Sequence, residues 1–140
     1  MGFGEWVANT ARDEPHAELR AVAAAARRME TPCGDGTLVW RAWGHGPPLV
    51  LLHGGSGSWR HWLRNIPTFA QDRLVICHDL PGLGDSDMPP MPASPETVAP
   101  ILAEGLRIAL PDSHGYDLVG FSFGALCSGH LAALDQARAL

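Results

Sequence analysis

Tyr116-Asp117-Leu118-Val119-Gly120-Phe121-Ser122-Phe123-Gly124 is the stretch whose reading decides the fold. Its first four residues form a short, mainly apolar run of strand type. Behind the glycines, Ala125, Leu126, Leu131, Ala132 and Leu134 can line the apolar side of a helix. A strand that passes into a helix through so tight a Gly-x-Ser-x-Gly turn holds the central serine in a strained backbone conformation and lifts its hydroxyl clear of the sheet. Side chains at Gly120 or Gly124 would collide with the neighbouring strand or helix as the chain folds back. The amides at the helix start point toward Ser122 and favour negative charge there.

Two upstream stretches have the same build. Leu49, Val50, Leu51 and Leu52 run into His53-Gly54-Gly55-Ser56-Gly57. Leu74, Val75, Ile76 and Cys77 run into His78-Asp79-Leu80-Pro81-Gly82-Leu83-Gly84-Asp85-Ser86. Short unbroken apolar runs are what strands buried on both faces require, and their alternation with helices means parallel pairing. Three strand-ending loops in this order resemble the α/β-hydrolase superfamily, of the serine-nucleophile esterase or carbon–carbon bond hydrolase type, over roughly Met29 to Leu140. The dehalogenases of that superfamily, whose nucleophile is aspartate, are less similar.

The resemblance implies an α/β fold with a mostly parallel sheet and flanking helices, truncated to strands 1 to 5 and helices A to C. The family usually needs about twice this length, so the chain looks like an N-terminal half. Ser122 becomes the nucleophile toward an ester, a thioester or a carbon–carbon bond next to a carbonyl in a small acyl substrate. Backbone N–H groups of Phe123 and of Gly55 or Ser56 become the oxyanion donors, the glycine-rich run permitting either register. His53, Gly54, Gly120 and Gly124 become turns that shape the site, His53 being structural. Asp79, Gly82, Gly84 and Ser86 match the family's Asp-x-Pro-Gly-x-Gly-x-Ser loop, which shapes one wall. Asp85 and Asp87 read as solvated turn residues.

One departure from the family matters. Its triad runs serine, acid, histidine, with both later members after the helix that follows the serine. Leu140 falls within or at the end of that helix, so the base and its orienting acid are expected to be missing. Removal of a triad base leaves roughly 10³–10⁴-fold catalysis from binding and the oxyanion hole alone. The strand below Ser122 would also present an open apolar edge. The alternative is therefore a non-catalytic truncated hydrolase that self-associates, binds a partner, or is completed by a C-terminal half through that edge. A third reading, a Rossmann-like nucleotide binder, shares the alternating pattern but lacks the glycine fingerprint, because Gly55-x-Gly57 is followed by Arg60 and Gly82-x-Gly84 by Asp87 where a third glycine is needed.

Bulk properties narrow the class. The 140 residues suffice for one buried core, and 46% hydrophobic with 18% charged content describes a globular protein. A net charge of −5 and no basic cluster beyond Arg27 and Arg28 argue against nucleic acid. Cys33, Cys77 and Cys127 are odd in number and scattered, as free thiols in a reducing cytoplasm would be. His53, His61 and His78 lack metal-ligand spacing, and no cofactor is implied. Nothing reads as a signal peptide or a membrane span, and the expected location is cytoplasmic.

In chain order, residues 1–28 read as a lead-in and helix, and residues 29–140 as the hydrolase half. Met1 to Pro15 lack periodicity and read as a mobile lead-in. Leu19, Val22, Ala23, Ala26 and Met29 predict a helix over His16 to Met29. Cys33 to Gly36 turn a hairpin whose second strand runs from Leu38 to Trp43. Ser58 caps a helix bearing Trp59, Trp62, Leu63 and Ile66 that Pro67 ends or bends. A later helix starts either at Ser94-Pro95 or nearer Pro100, and Pro111 closes it.

Overall fold

A computed structural model describes residues 4–8, 16–90 and 92–135. The apolar runs become the middle of a sheet built from β1 (Val7–Ala8), β2 (Arg27–Cys33), β3 (Gly36–Trp43), β4 (Pro48–Leu52), β5 (Leu74–His78) and β6 (Asp117–Gly120). Their spatial order is β1-β2-β3-β5-β4-β6. The sheet is mixed. β1, β2, β3 and β5 pair antiparallel in succession, whereas β4 pairs parallel with β5 on one side and with β6 on the other. The expected α/β architecture is present, with parallel pairing confined to the three strands that carry the loops singled out above.

Among the described residues, α1 (Ala17–Ala25), α2 (Ile66–Phe69), α3 (Pro95–Ala109) and α4 (Phe123–Asp135) cover the sheet. Alternation along β4 divides the core, because successive side chains point to opposite faces. Val50 and Leu52 join Trp40, Ile76 and Leu118 against Leu102 and Leu106 of α3 and Leu131 of α4. Leu49 and Leu51 join Trp43, Val75 and Cys77 against Ala23 of α1, Trp59 and Ile66. A strand buried on both faces must be apolar throughout, as β4 and β5 are. β6, bonded only to β4 among the described residues, forms one edge of the sheet.

Several local expectations are corrected. The first helix stops at Ala25, and Ala26 is already extended at φ −71° and ψ 148°. Met29, at helical spacing from Val22 and Ala26, instead begins a buried alternation with Thr31 and Cys33 in β2. Part of the supposed mobile lead-in joins the sheet, with Val7 and Ala8 paired to Arg28 and Arg27, while residues 1–3 and 9–15 lie outside those described. Ser58 does cap a helical segment by accepting the Arg60 N–H, but only a 3-10 turn follows, Trp59–Trp62. Pro67 opens α2 rather than ending a longer helix, since a proline's missing N–H costs nothing in a first turn. α3 starts at Pro95, where Ser94 and Thr97 form a reciprocal capping box, and it runs through Pro100.

Candidate active site

Parallel pairing puts Leu52 beside Gly120, so the loops leaving β4 and β6 emerge together. The Phe121 N–H donates to the Leu52 carbonyl at 3.0 Å and extends the ladder to the turn itself. Ser122 then has φ +55°, a left-handed conformation unusual for a residue with a side chain, and it is exposed. Its carbonyl accepts the Ala125 N–H at 2.9 Å and starts α4. The flanking glycines are required by close approach. A Cβ on Gly120 would lie 2.5 Å from the Gly124 carbonyl oxygen, and one on Gly124 would lie 2.5 Å from the His53 carbonyl oxygen. Phe123 opens α4, so no carbonyl one turn back receives its N–H.

The loop after β4 faces this turn. A Cβ on Gly55 would sit in ordinary contact with Cβ of Phe123, at 3.9 Å, and Ser56 has φ +59°. His53 is wholly buried. Its Nε2 accepts the Leu80 N–H at 2.8 Å, which places the proton on Nδ1 to donate to the Gly54 carbonyl at 2.7 Å. Burial pushes this imidazole below its usual pKa, opposed by the Gly54 carbonyl and Asp79 and assisted by His61. Both nitrogens are committed, so His53 ties two loops together as a structural residue.

Asp79 organises the third loop. Its buried carboxylate accepts from Arg41 Nη1 at 3.0 Å, from the Trp59 N–H at 3.0 Å and from the Asp85 N–H at 3.0 Å. Ser86 Oγ donates to the Asp79 carbonyl at 2.6 Å and accepts the Val39 N–H at 2.9 Å. Asp85 and Asp87 are more engaged than solvated turn residues. Asp85, with its side chain 63% exposed, pairs with Arg41 at 2.6 Å, and Asp87 accepts the Thr37 N–H at 2.7 Å, which pins the loop to β3.

Sequence reasoning missed two participants. Arg41 is a lone charge inside the buried run Leu38 to Trp43, and that burial was itself the signal that a carboxylate had to be waiting for it. His61 accepts the Gly54 N–H on Nδ1 at 3.3 Å, and its ring stands edge-on to Phe121 with centroids 6.0 Å apart. Nothing in its spacing foretold this contact. With Trp62 and Phe121, His61 lines a cavity of about 250 Å³.

After Ser122 the sequence contains one histidine, His130, and one carboxylate, Asp135. His130 Nε2 lies 3.7 Å from a Glu96 carboxylate oxygen. Asp135 accepts the Tyr116 hydroxyl and pairs with Arg107. These partners lie on α3, apart from Tyr116, the residue before β6. All three cysteines are buried free thiols pushed up by burial, Cys127 to about 11. Among the described residues, no group of three or more His, Cys, Asp or Glu side chains could hold a metal ion, and no helix is long and apolar enough to cross a membrane.

A family model described as alpha/beta hydrolase fold matches residues 47–139. The soluble epoxide hydrolase of Corynebacterium sp. (strain C12) is 44% identical over 77 residues, 55% of this chain and 25% of that protein. The pimeloyl-[acyl-carrier protein] methyl ester esterase of Aeromonas hydrophila is 38% identical over 95 residues, 68% of this chain and 35% of that protein. Among solved structures, Cfl2 from Burkholderia cenocepacia superposes with a TM-score of 0.73 at 29% identity, over 83% of this chain and 40% of that one. The chain therefore spans 25% to 35% of the length of these curated relatives.

Proposed function

The chain belongs to the α/β-hydrolase fold family, and on that premise we propose that it carries the nucleophile and oxyanion half of a serine-dependent hydrolase. The bond attacked is a carboxylic ester, a thioester or a carbon–carbon bond next to a carbonyl in a small acyl substrate. The observation that carries this reading is the exposed Ser122, held at φ +55° between β6 and α4. Strain of that kind persists where the surrounding packing over-determines it, and it raises a hydroxyl above the sheet.

In the reaction, Ser122 Oγ adds to the substrate carbonyl carbon while its proton passes to a general base. The tetrahedral oxyanion accepts hydrogen bonds from the N–H groups of Phe123 and Gly55. Gly55 is preferred over Ser56 because it stands opposite Phe123 across the gap. Collapse expels the leaving group, which takes the base's proton, and water then releases the acyl group and restores Ser122. Each oxyanion donor is worth on the order of 10²–10³ in rate. His130 and Asp135 lie eight and thirteen residues beyond Ser122 in or along α4, roughly 12 Å and 20 Å away at 1.5 Å per residue, so neither supplies the base or its orienting acid from this helix. The chain alone is then a poor catalyst.

The experiment is covalent trapping by a fluorophosphonate, with the chain extended by the downstream segment of a related esterase that brings an acid and a histidine. Labelling should appear on extension and vanish with Ser122→Ala. Labelling that survives Ser122→Ala refutes the assignment.

A second reading is favoured by a specific observation. Among the described residues β6 is bonded on one side only, Val119 is 42% exposed, and Leu126 and Leu134 on α4 are 60% and 52% exposed. An open strand beside exposed apolar side chains is a template for pairing, with a second copy or with a complementing C-terminal half. A chain that elutes as a monomer at every concentration, and remains one when a complementing segment is added, would end this reading.

A further inference from the structure

The geometry points to the His61, Trp62 and Phe121 cavity as a subsite for an aromatic ring carried by the acyl substrate. This rests on the reading of Ser122 as the nucleophile, because the cavity shares its walls with both parts of that site. Phe121 immediately precedes Ser122, and His61 is anchored by the N–H of Gly54, the residue before the proposed oxyanion donor. A group seated between these rings is delivered to the point where hydroxyl and amides converge.

Size and chemistry restrict the occupant. At about 250 Å³ the cavity is smaller than the usual pocket for a drug-sized ligand, so it takes one ring with a short tail rather than a long acyl chain. Its three lining residues are all aromatic and include no lysine, arginine or carboxylate, which offers a charged head group no opposite charge. The rings of His61 and Phe121 meet at 81°, offering a third ring one face and one edge at once. His61 is fixed in that attitude. It bonds Gly54, stands edge-on to His53 with centroids 5.8 Å apart, and leans over Gly57, where even a Cβ would lie 2.9 Å from its Nδ1. A preorganised wall of this kind costs little ordering when a ligand enters.

The test is a titration of the 140-residue chain with two unreactive ketones of equal heavy-atom count, acetophenone and cyclohexyl methyl ketone, followed by amide chemical shifts. Both present a carbonyl beside a six-membered ring, and only one ring is aromatic. Acetophenone should bind roughly two- to twelve-fold tighter, the worth of one aromatic contact beyond area burial, with shifts centred on Gly54, His61 and Phe121. Phe121→Leu and His61→Asn should each bring the preference close to one. Phe121 is 59% exposed, so its replacement leaves the fold intact. The ratio of the two affinities should be the same in the Ser122→Ala chain, because both ketones present the same carbonyl at that position, which separates this result from the trapping experiment. Absence of binding, equal affinities, or a preference that survives both wall substitutions would overturn the proposal.

Discussion

Arg41→Met is the perturbation with the sharpest consequence. It removes the cation that faces Asp79, in a pair whose side chains are 6% and 1% exposed. Methionine fills comparable space, so the change tests charge more than volume. Breaking a buried pair from one side typically costs about 3–5 kcal/mol, because the remaining charge is left desolvated. Asp79 keeps the N–H groups of Trp59 and Asp85, which puts the expected loss near the lower limit, about 3 kcal/mol. In a urea titration followed by tryptophan fluorescence, a slope of about 2 kcal/mol per molar makes this a midpoint shift of about 1.5 M. The control is Arg28→Met, which breaks a partly exposed pair with Glu30 and should cost about 0–1 kcal/mol. Adding Asp79→Asn to Arg41→Met should restore part of the loss, since no uncompensated charge remains buried. A loss below about 1 kcal/mol for Arg41→Met, or full additivity in the double variant, would refute the account of this loop as a charge-paired brace.

Gly124→Ala should destabilise by about 1–3 kcal/mol or more in a thermal melt, because the added carbon meets backbone oxygen that cannot rotate away; wild-type stability would mean that α4 does not pack against the loop after β4. Ser122→Gly should leave stability unchanged or raise it by up to about 1 kcal/mol in urea, relief of the left-handed strain offsetting the added chain entropy. His78, unpartnered at both nitrogens, and His53 are both held below their ordinary pKa by burial. The unfolded chain therefore binds more protons below about pH 6.5, so these two histidines should cost nothing near neutral pH and lower stability on acidification by up to about 1.4 kcal/mol per pH unit for each. Urea midpoints measured from neutral to mildly acid pH, with His78→Leu flattening the slope, check this. Val119→Lys should lower any self-association seen by size exclusion, since an edge lysine blocks strand pairing.

The parts of the site that were legible in the sequence are those where backbone geometry forbids alternatives. Gly120 and Gly124 flank Ser122 because anything larger strikes backbone, and that constraint leaves a fixed spacing. The parts that were not legible depend on which surfaces meet after folding. Met29 sat at helical spacing from an alanine-rich run, and only its pairing opposite Trp40 makes it a strand residue. The run from Trp59 to Ile66 carried a helical stripe, yet only Trp59–Trp62 coil, as a 3-10 turn, and α2 starts separately at Ile66. Arg41 was legible in principle, because a buried strand does not carry a lone charge without a partner. His61 was not, since its role comes from an amide seven residues earlier that reaches it only when the loop closes.

The three glycine-rich loops behave as one hydrogen-bonded assembly rather than three separate motifs. Phe121 is bonded to Leu52, His53 to Leu80, and Trp59 to Asp79, so the loops after β4, β5 and β6 each hold another. None of these bonds uses an acid or histidine lying after Ser122. The turn proposed to carry the nucleophile, and the two amides proposed as oxyanion donors, are therefore positioned by contacts among these loops themselves. A triad base arriving from elsewhere would meet a preorganised site and would need only to reach the Ser122 hydroxyl. Among the described residues, Ser122 and Ser56 are the two with side chains held at positive φ, one on each of the loops that face each other across the proposed site, where strain of this kind serves preorganisation.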